Sequence, residues 1–63
     1  MVLVYSRDGC APCRTLAYWL DKKGIKYKKL SPDGTDIRIV PTIFIGEEKI
    51  VGLNFKRLSE LLT

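Results

Sequence analysis

Two cysteines separated by two residues, Cys10-Ala11-Pro12-Cys13, stand where a β-branched run gives way to a helical pattern. The spacing and the junction together demand a strand that ends in a turn and delivers the chain into a helix. Val2-Leu3-Val4-Tyr5 supplies the strand and Ser6-Arg7-Asp8-Gly9 the turn. From Ala11 to Lys23, Leu16, Ala17 and Leu20 fall at helical spacing with Cys13, and Gly24 follows as a stop. Pro12 is tolerated in the first turn, where backbone donors have no intrahelical partner. With 63 residues in all, the chain has room for one domain, residues 1–63, with a marginal core.

After the helix, Ile25 to Leu30 alternates apolar and polar residues as a half-solvated edge strand does, and Ser31-Pro32-Asp33-Gly34 ends it. Strand, helix and strand in that order predict a crossover with a parallel pair. Thr42 to Ile45 and Lys49 to Val51 flank Gly46-Glu47-Glu48, the pattern of a hairpin. Phe55 to Leu62 closes the chain as an amphipathic helix, with Asn54 placed to cap it. The predicted order is βαβ, a loop, then ββα.

The chemistry sits at the strand-to-helix junction. A sulfur just before a helix faces unpaired backbone N–H groups and the positive end of the helix dipole, which stabilise a thiolate at Cys10. Two intervening residues in a helical turn bring Cys13 within bonding reach, so it can resolve a mixed disulfide formed on Cys10. Arg7 and Arg14 add positive charge that tunes the thiolate, and Asp8 opposes them. The rival for such a pair is half of a metal site. With no histidine and no third cysteine in the chain, a tetrahedral site needs a second copy or carboxylates, so no metal is expected and the catalytic pair is Cys10 and Cys13.

A second element is Val40-Pro41-Thr42, ahead of the third strand. A proline is tolerable at the first strand residue, and by itself the pair fits an ordinary trans strand start. A cis Val40-Pro41 bond would instead leave the backbone of Val40 free to clamp an extended substrate strand-to-strand.

Charge and cysteine usage bound the function classes. The net charge of +4 suits an acidic partner, whereas the aromatic interleaving of a nucleic-acid stacking platform is poor. One bridge closing so small a loop does not make a secreted disulfide scaffold. The apolar opening is far shorter than a signal core or a membrane span. A cytoplasmic protein that binds no membrane is expected.

Tyr5, Cys10-Ala11-Pro12-Cys13, Val40-Pro41-Thr42, the hairpin, and Val51-Gly52 ahead of a final helix together resemble the glutaredoxin family and its NrdH-type redoxin relatives, which reduce ribonucleotide reductase. The resemblance spans nearly the whole chain. It implies an α/β, minimal thioredoxin-like fold with a four-stranded mixed sheet of order 2-1-3-4, two helices on one face and a cis peptide before Pro41. It implies a dithiol oxidoreductase that passes electrons to protein disulfides, ribonucleotide reductase among the candidates. No bound cofactor is implied, and either glutathione or a flavoprotein reductase of the thioredoxin reductase kind would be the electron donor. Substrate is expected at Tyr5, Ala11, Pro12, Val40, Pro41, Gly52 and Leu53. The chain departs from glutaredoxins in carrying Ala11-Pro12 between the cysteines and Leu53-Asn54 after the glycine, and Leu53 with Phe55 offers an apolar rim suited to a protein partner. The alternative is a redox-inactive binding module, or a metal or iron-sulfur carrier using Cys10 in a dimer.

The middle of the chain is short. Ser31 to Val40 cannot hold the helix that the family carries there, so that helix is expected to be absent or reduced to a turn. Cover for the second sheet face would then come from Ile37, Ile39 and Val40, with Ile37 or Ile39 turned inward, or from a second subunit in a homodimer.

Overall fold

The computed structural model describes residues 2–62. Along the chain run β1 (Val2–Tyr5), α1 (Ala11–Lys22), β2 (Lys28–Leu30), β3 (Thr42–Ile45), β4 (Glu48–Val51) and α2 (Phe55–Leu62). They form one sheet of order β2-β1-β3-β4. β1 and β2 are parallel, and the other two pairings are antiparallel. The expected element order and strand order are both present.

Register decides which side chains reach the core, because directly paired residues share a sheet face and consecutive residues oppose one another. Val2 and Val4 pair with Ile45 and Ile43, and Ile43 pairs with Ile50. On that face Val2, Val4, Ile43 and Ile50 meet Leu16 and Leu20 of α1 and Leu58 of α2 in one buried cluster. Both helices therefore lie on the same side of the sheet. Trp19 of α1 and Phe55 of α2 close the gap between them, their ring centroids 5.3 Å apart. Trp19 is thus a packing residue.

The helix ends follow from local chemistry. Cys10 is the N-cap of α1, and the helix ends at Lys22 with Lys23 as C-cap, one residue earlier than expected. At α2 the Asn54 side-chain oxygen accepts the Arg57 backbone N–H at 3.2 Å, the usual N-cap bond.

Three expectations are corrected. The strand predicted from Ile25 is ordered as a strand only over Lys28–Leu30. Leu3 pairs with Lys28, so continuing the register backward sets Tyr27 against the first residue of β1 and leaves Ile25 and Lys26 beyond it. Ile25 and Tyr27 pack on the core all the same. The hairpin connection is two residues, Gly46-Glu47, with Glu48 already paired to Ile45. Gly46 has φ +60° at the first central position, where a tight hairpin turn demands a positive φ.

The third correction concerns the second sheet face, which carries Leu3, Tyr5 and Phe44, each half-buried. Tyr5 and Phe44 pack edge to face there, centroids 5.7 Å apart. The segment between β2 and β3 contains turns and bends without a helix. Its fully buried side chain is Pro32, while Ile39 is 60% exposed. Ile37 is half-buried, and neither isoleucine joins the core. Local hydrogen bonds explain this: the Asp33 N–H donates to Ser31 Oγ at 3.2 Å, the Thr35 N–H to the Pro32 carbonyl at 3.1 Å and the Ile37 N–H to Thr35 Oγ1 at 3.1 Å. A segment curled into consecutive tight turns does not lay two isoleucines flat across a sheet. Ile37 and Ile39 line a shallow groove at the β4 side of this same face, with Thr42, Lys49 and Val51, so they border the face without closing over it.

Candidate active site

The strand-to-helix junction is built from backbone upward. The Ser6 N–H donates to the Leu30 carbonyl at 3.0 Å, carrying the β1–β2 ladder one residue past Tyr5. Arg7, Asp8 and Gly9 then turn in solvent. Cys10 keeps extended backbone, φ −92° and ψ 108°, as an N-cap does. Its Sγ accepts the Cys13 N–H at 3.2 Å, and its carbonyl accepts the Arg14 N–H at 3.2 Å.

Cys10 and Cys13 are joined by a disulfide, their Cα atoms 5.2 Å apart. The two sulfurs have different surroundings. Cys13 is 7% exposed and sits against the core side of α1, whereas Cys10 is half-buried, with Ala11 and Pro12 exposed beside it. An incoming group therefore has better access to Cys10, and Cys13 lies behind it.

Register brings the remaining candidates to the same end of the sheet. Tyr5 pairs with Thr42 and Thr42 with Val51, so the chain after Tyr5, before Thr42 and after Val51 leaves the sheet at one edge. Val40-Pro41, a cis peptide, lies there with Pro41 buried and Val40 half-buried. The Gly52 N–H donates to the Pro41 carbonyl at 2.8 Å, and Leu53 beyond it is 39% exposed. Tyr5 is placed differently. Its ring packs on Phe44 on the face opposite the helices.

Below the disulfide is a cavity of ≈180 Å³ between α1 and β2, whose walls include Cys10, Cys13, Arg7, Arg14, Ser6 and Tyr27. Ser6 is 6% exposed, and its Oγ has no hydrogen-bond partner among the described residues. Ser6, Tyr27 and Lys29, none of them among the residues expected at the site, line this space. A signal existed for Ser6: alternation from the inward Val2 and Val4 carries it to the same face. Burial, with the charge of Asp21 adding to it, raises the Tyr27 phenol above its ordinary pKa.

Arg7 and Arg14 both border the cavity. Arg7 also pairs with Asp33 at 3.1 Å, both side chains largely exposed, and such a pair is worth about 0–1 kcal/mol. Among the described residues, no three His, Cys, Asp or Glu side chains form a group able to hold a metal ion. Among the same residues, no helix is long and apolar enough to cross a membrane.

No protein-family model matches the sequence, and none of the curated proteins is significantly similar to it. Among solved structures, the chain is similar to the crystal structure of a glutaredoxin from Archaeoglobus fulgidus, with a TM-score of 0.79 and 21% sequence identity over 97% of this chain and 84% of that one. The fold is thus a glutaredoxin-like thioredoxin fold carrying a Cys-X-X-Cys pair at the start of its first helix.

Proposed function

We propose that the chain is a dithiol oxidoreductase that reduces protein disulfides through Cys10 and Cys13. The observation that carries this reading is the asymmetry of the pair: one half-buried sulfur at the helix N-terminus, and one buried sulfur a helical turn behind it. In the dithiol form, the N–H of Cys13 and the positive end of α1 stabilise a thiolate on Cys10. That thiolate attacks one sulfur of the substrate disulfide, forms a mixed disulfide and releases the first substrate thiolate. Cys13 loses its proton and attacks Cys10 Sγ, forming the Cys10–Cys13 bond and releasing the second thiolate. The substrate gains two electrons and the protein dithiol loses them.

Val40, half-buried just before β3 at the same end of the sheet as the cysteines, supports an extended substrate bound strand-to-strand against its backbone. Leu53, exposed beside it, supports a protein substrate over a small thiol. Ala11, Pro12 and Gly52 would border the same substrate, and Arg7 and Arg14 would hold the thiolate. Electrons return from glutathione or from a flavoprotein reductase of the thioredoxin reductase kind, in the cytoplasm.

Replacing Cys13 with Ser tests the reading directly. The variant should accumulate a covalent adduct with a protein disulfide, visible by mass as a mixed disulfide on Cys10. An absence of any adduct would reject the dithiol function. Turnover of the parent with thioredoxin reductase, compared with glutathione and its reductase, assigns the donor.

A further inference from the structure

The cycle above sets a problem that the Cys10 side does not solve. When Cys13 attacks, its thiol proton must leave a side chain that is 7% exposed. Burial in apolar surroundings disfavours the thiolate. The wall of Cys13 that is not packed on the core faces the ≈180 Å³ cavity, which is large enough for several water molecules.

Of the groups lining that cavity, Ser6 alone is a buried hydroxyl. It is 6% exposed, with Oγ unpartnered among the described residues, and a buried hydroxyl is costly to leave unsatisfied. A hydroxyl both donates and accepts, so it can hand on a proton while staying neutral. The charged and titratable groups facing it are Arg7 and Asp8 from the turn, Cys10 and Arg14 from α1 with its capping turn, and Tyr27 and Lys29 from the β2 side. Arg7, Arg14 and Lys29 offer donors and no lone pair while charged. Tyr27 also carries a neutral hydroxyl, but it is only half-buried at the β2 side of the space, where Ser6 is enclosed. Asp8 is exposed and opens to bulk water.

We propose that Ser6, with water held in this cavity, is a positioning residue for the resolving step: it orders the path by which the Cys13 proton passes to solvent as Cys13 attacks the mixed disulfide. The inference rests on the dithiol reading. The proton leaves Cys13 Sγ, the Cys13–Cys10 sulfur bond forms, and the Cys10–substrate sulfur bond breaks with its electron pair leaving on the substrate thiolate.

The test uses the reduced full chain in excess over a disulfide linking two different peptides. Release of the first peptide reports attack by Cys10, and release of the second reports attack by Cys13. Ser6→Ala should leave first release unchanged and slow the second about tenfold or more at mildly acid pH, since positioned proton transfer typically contributes 10²–10⁴-fold. The deficit should shrink as pH rises and Cys13 ionises unaided. Ser6→Thr, which keeps the hydroxyl, should restore the rate. Second release in Ser6→Ala equal to the parent at every pH overturns the inference while leaving the dithiol cycle standing, and equal slowing of both releases overturns it in the same way. A parent that never releases the first peptide overturns the dithiol reading and this inference together.

Discussion

The backbone N–H of Gly52 donates to the carbonyl of Pro41 at 2.8 Å, tying the entry to β3 to the turn that leads into α2. The bond carries the β3–β4 ladder one pair beyond Thr42 and Val51, at the cysteine end of the sheet. Gly52 holds φ +78° with open space where a Cβ would stand. The cost of a side chain there is conformational, not steric crowding. Gly52→Ala should lower stability by about 1–2 kcal/mol, the penalty of a left-handed conformation, and should weaken substrate binding by loosening Pro41. A denaturant midpoint together with the concentration dependence of turnover measures both effects.

Cys10 and Cys13 should differ in reactivity once reduced. The Cys10 sulfur accepts the Cys13 N–H and is half-buried, while Cys13 is 7% exposed. Alkylation at slightly acid pH should therefore modify Cys10 first, with Cys13 following only at higher pH or on unfolding. Peptide mass mapping after brief exposure to iodoacetamide reads the order. Preferential modification of Cys13 would reverse the assigned roles.

Leu58 and Ile39 should respond oppositely to truncation. Leu58 is fully buried between α2 and the sheet, whereas Ile39 is 60% exposed in the connecting loop. Leu58→Ala should cost about 2–5 kcal/mol, comparable with the whole stability of a domain this small. Ile39→Ser should change stability by about 0.5 kcal/mol or less, as surface substitutions do. Chemical denaturation of the two variants beside the parent decides it. A large loss in Ile39→Ser would mean that the loop does cover the sheet.

Tyr27 should make the fold sensitive to alkali. Its pKa is raised above 10.0 in the folded chain by burial, with Asp21 adding to the shift. Below pH 10 the phenol is protonated in both states and its contribution is fully present. As pH rises past the unfolded value, the unfolded state loses the proton first, so stability falls until the folded phenol also ionises. Tyr27→Phe should flatten that part of the decline. Thermal melts of parent and variant between neutral and strongly alkaline pH measure the difference, and identical slopes would exclude Tyr27 as a source.

The elements and the reacting pair were written in local patterns. Periodicity of the apolar residues is a local property, so Val2 to Tyr5, the hairpin and the amphipathic stripe from Phe55 to Leu62 were legible without any tertiary information. The Cys10 to Cys13 spacing at a strand-to-helix junction was legible for the same reason. The shortness of Ser31 to Val40 also excluded a middle helix in advance. Other features depend on strand pairing and on competing local bonds, which no local pattern records. β2 pairs with β1 only over Lys28–Leu30, and Ile25 and Tyr27 ahead of it pack on the core outside the ladder. Ile37 and Ile39 border the second face without covering it, in a loop curled by hydrogen bonds through Ser31, Pro32 and Thr35. Tyr5, expected among the substrate residues, has its ring on the face opposite the helices, against Phe44, because side chains alternate along β1. That same alternation turned Ser6 inward to a cavity that exists only once α1 lies over β2.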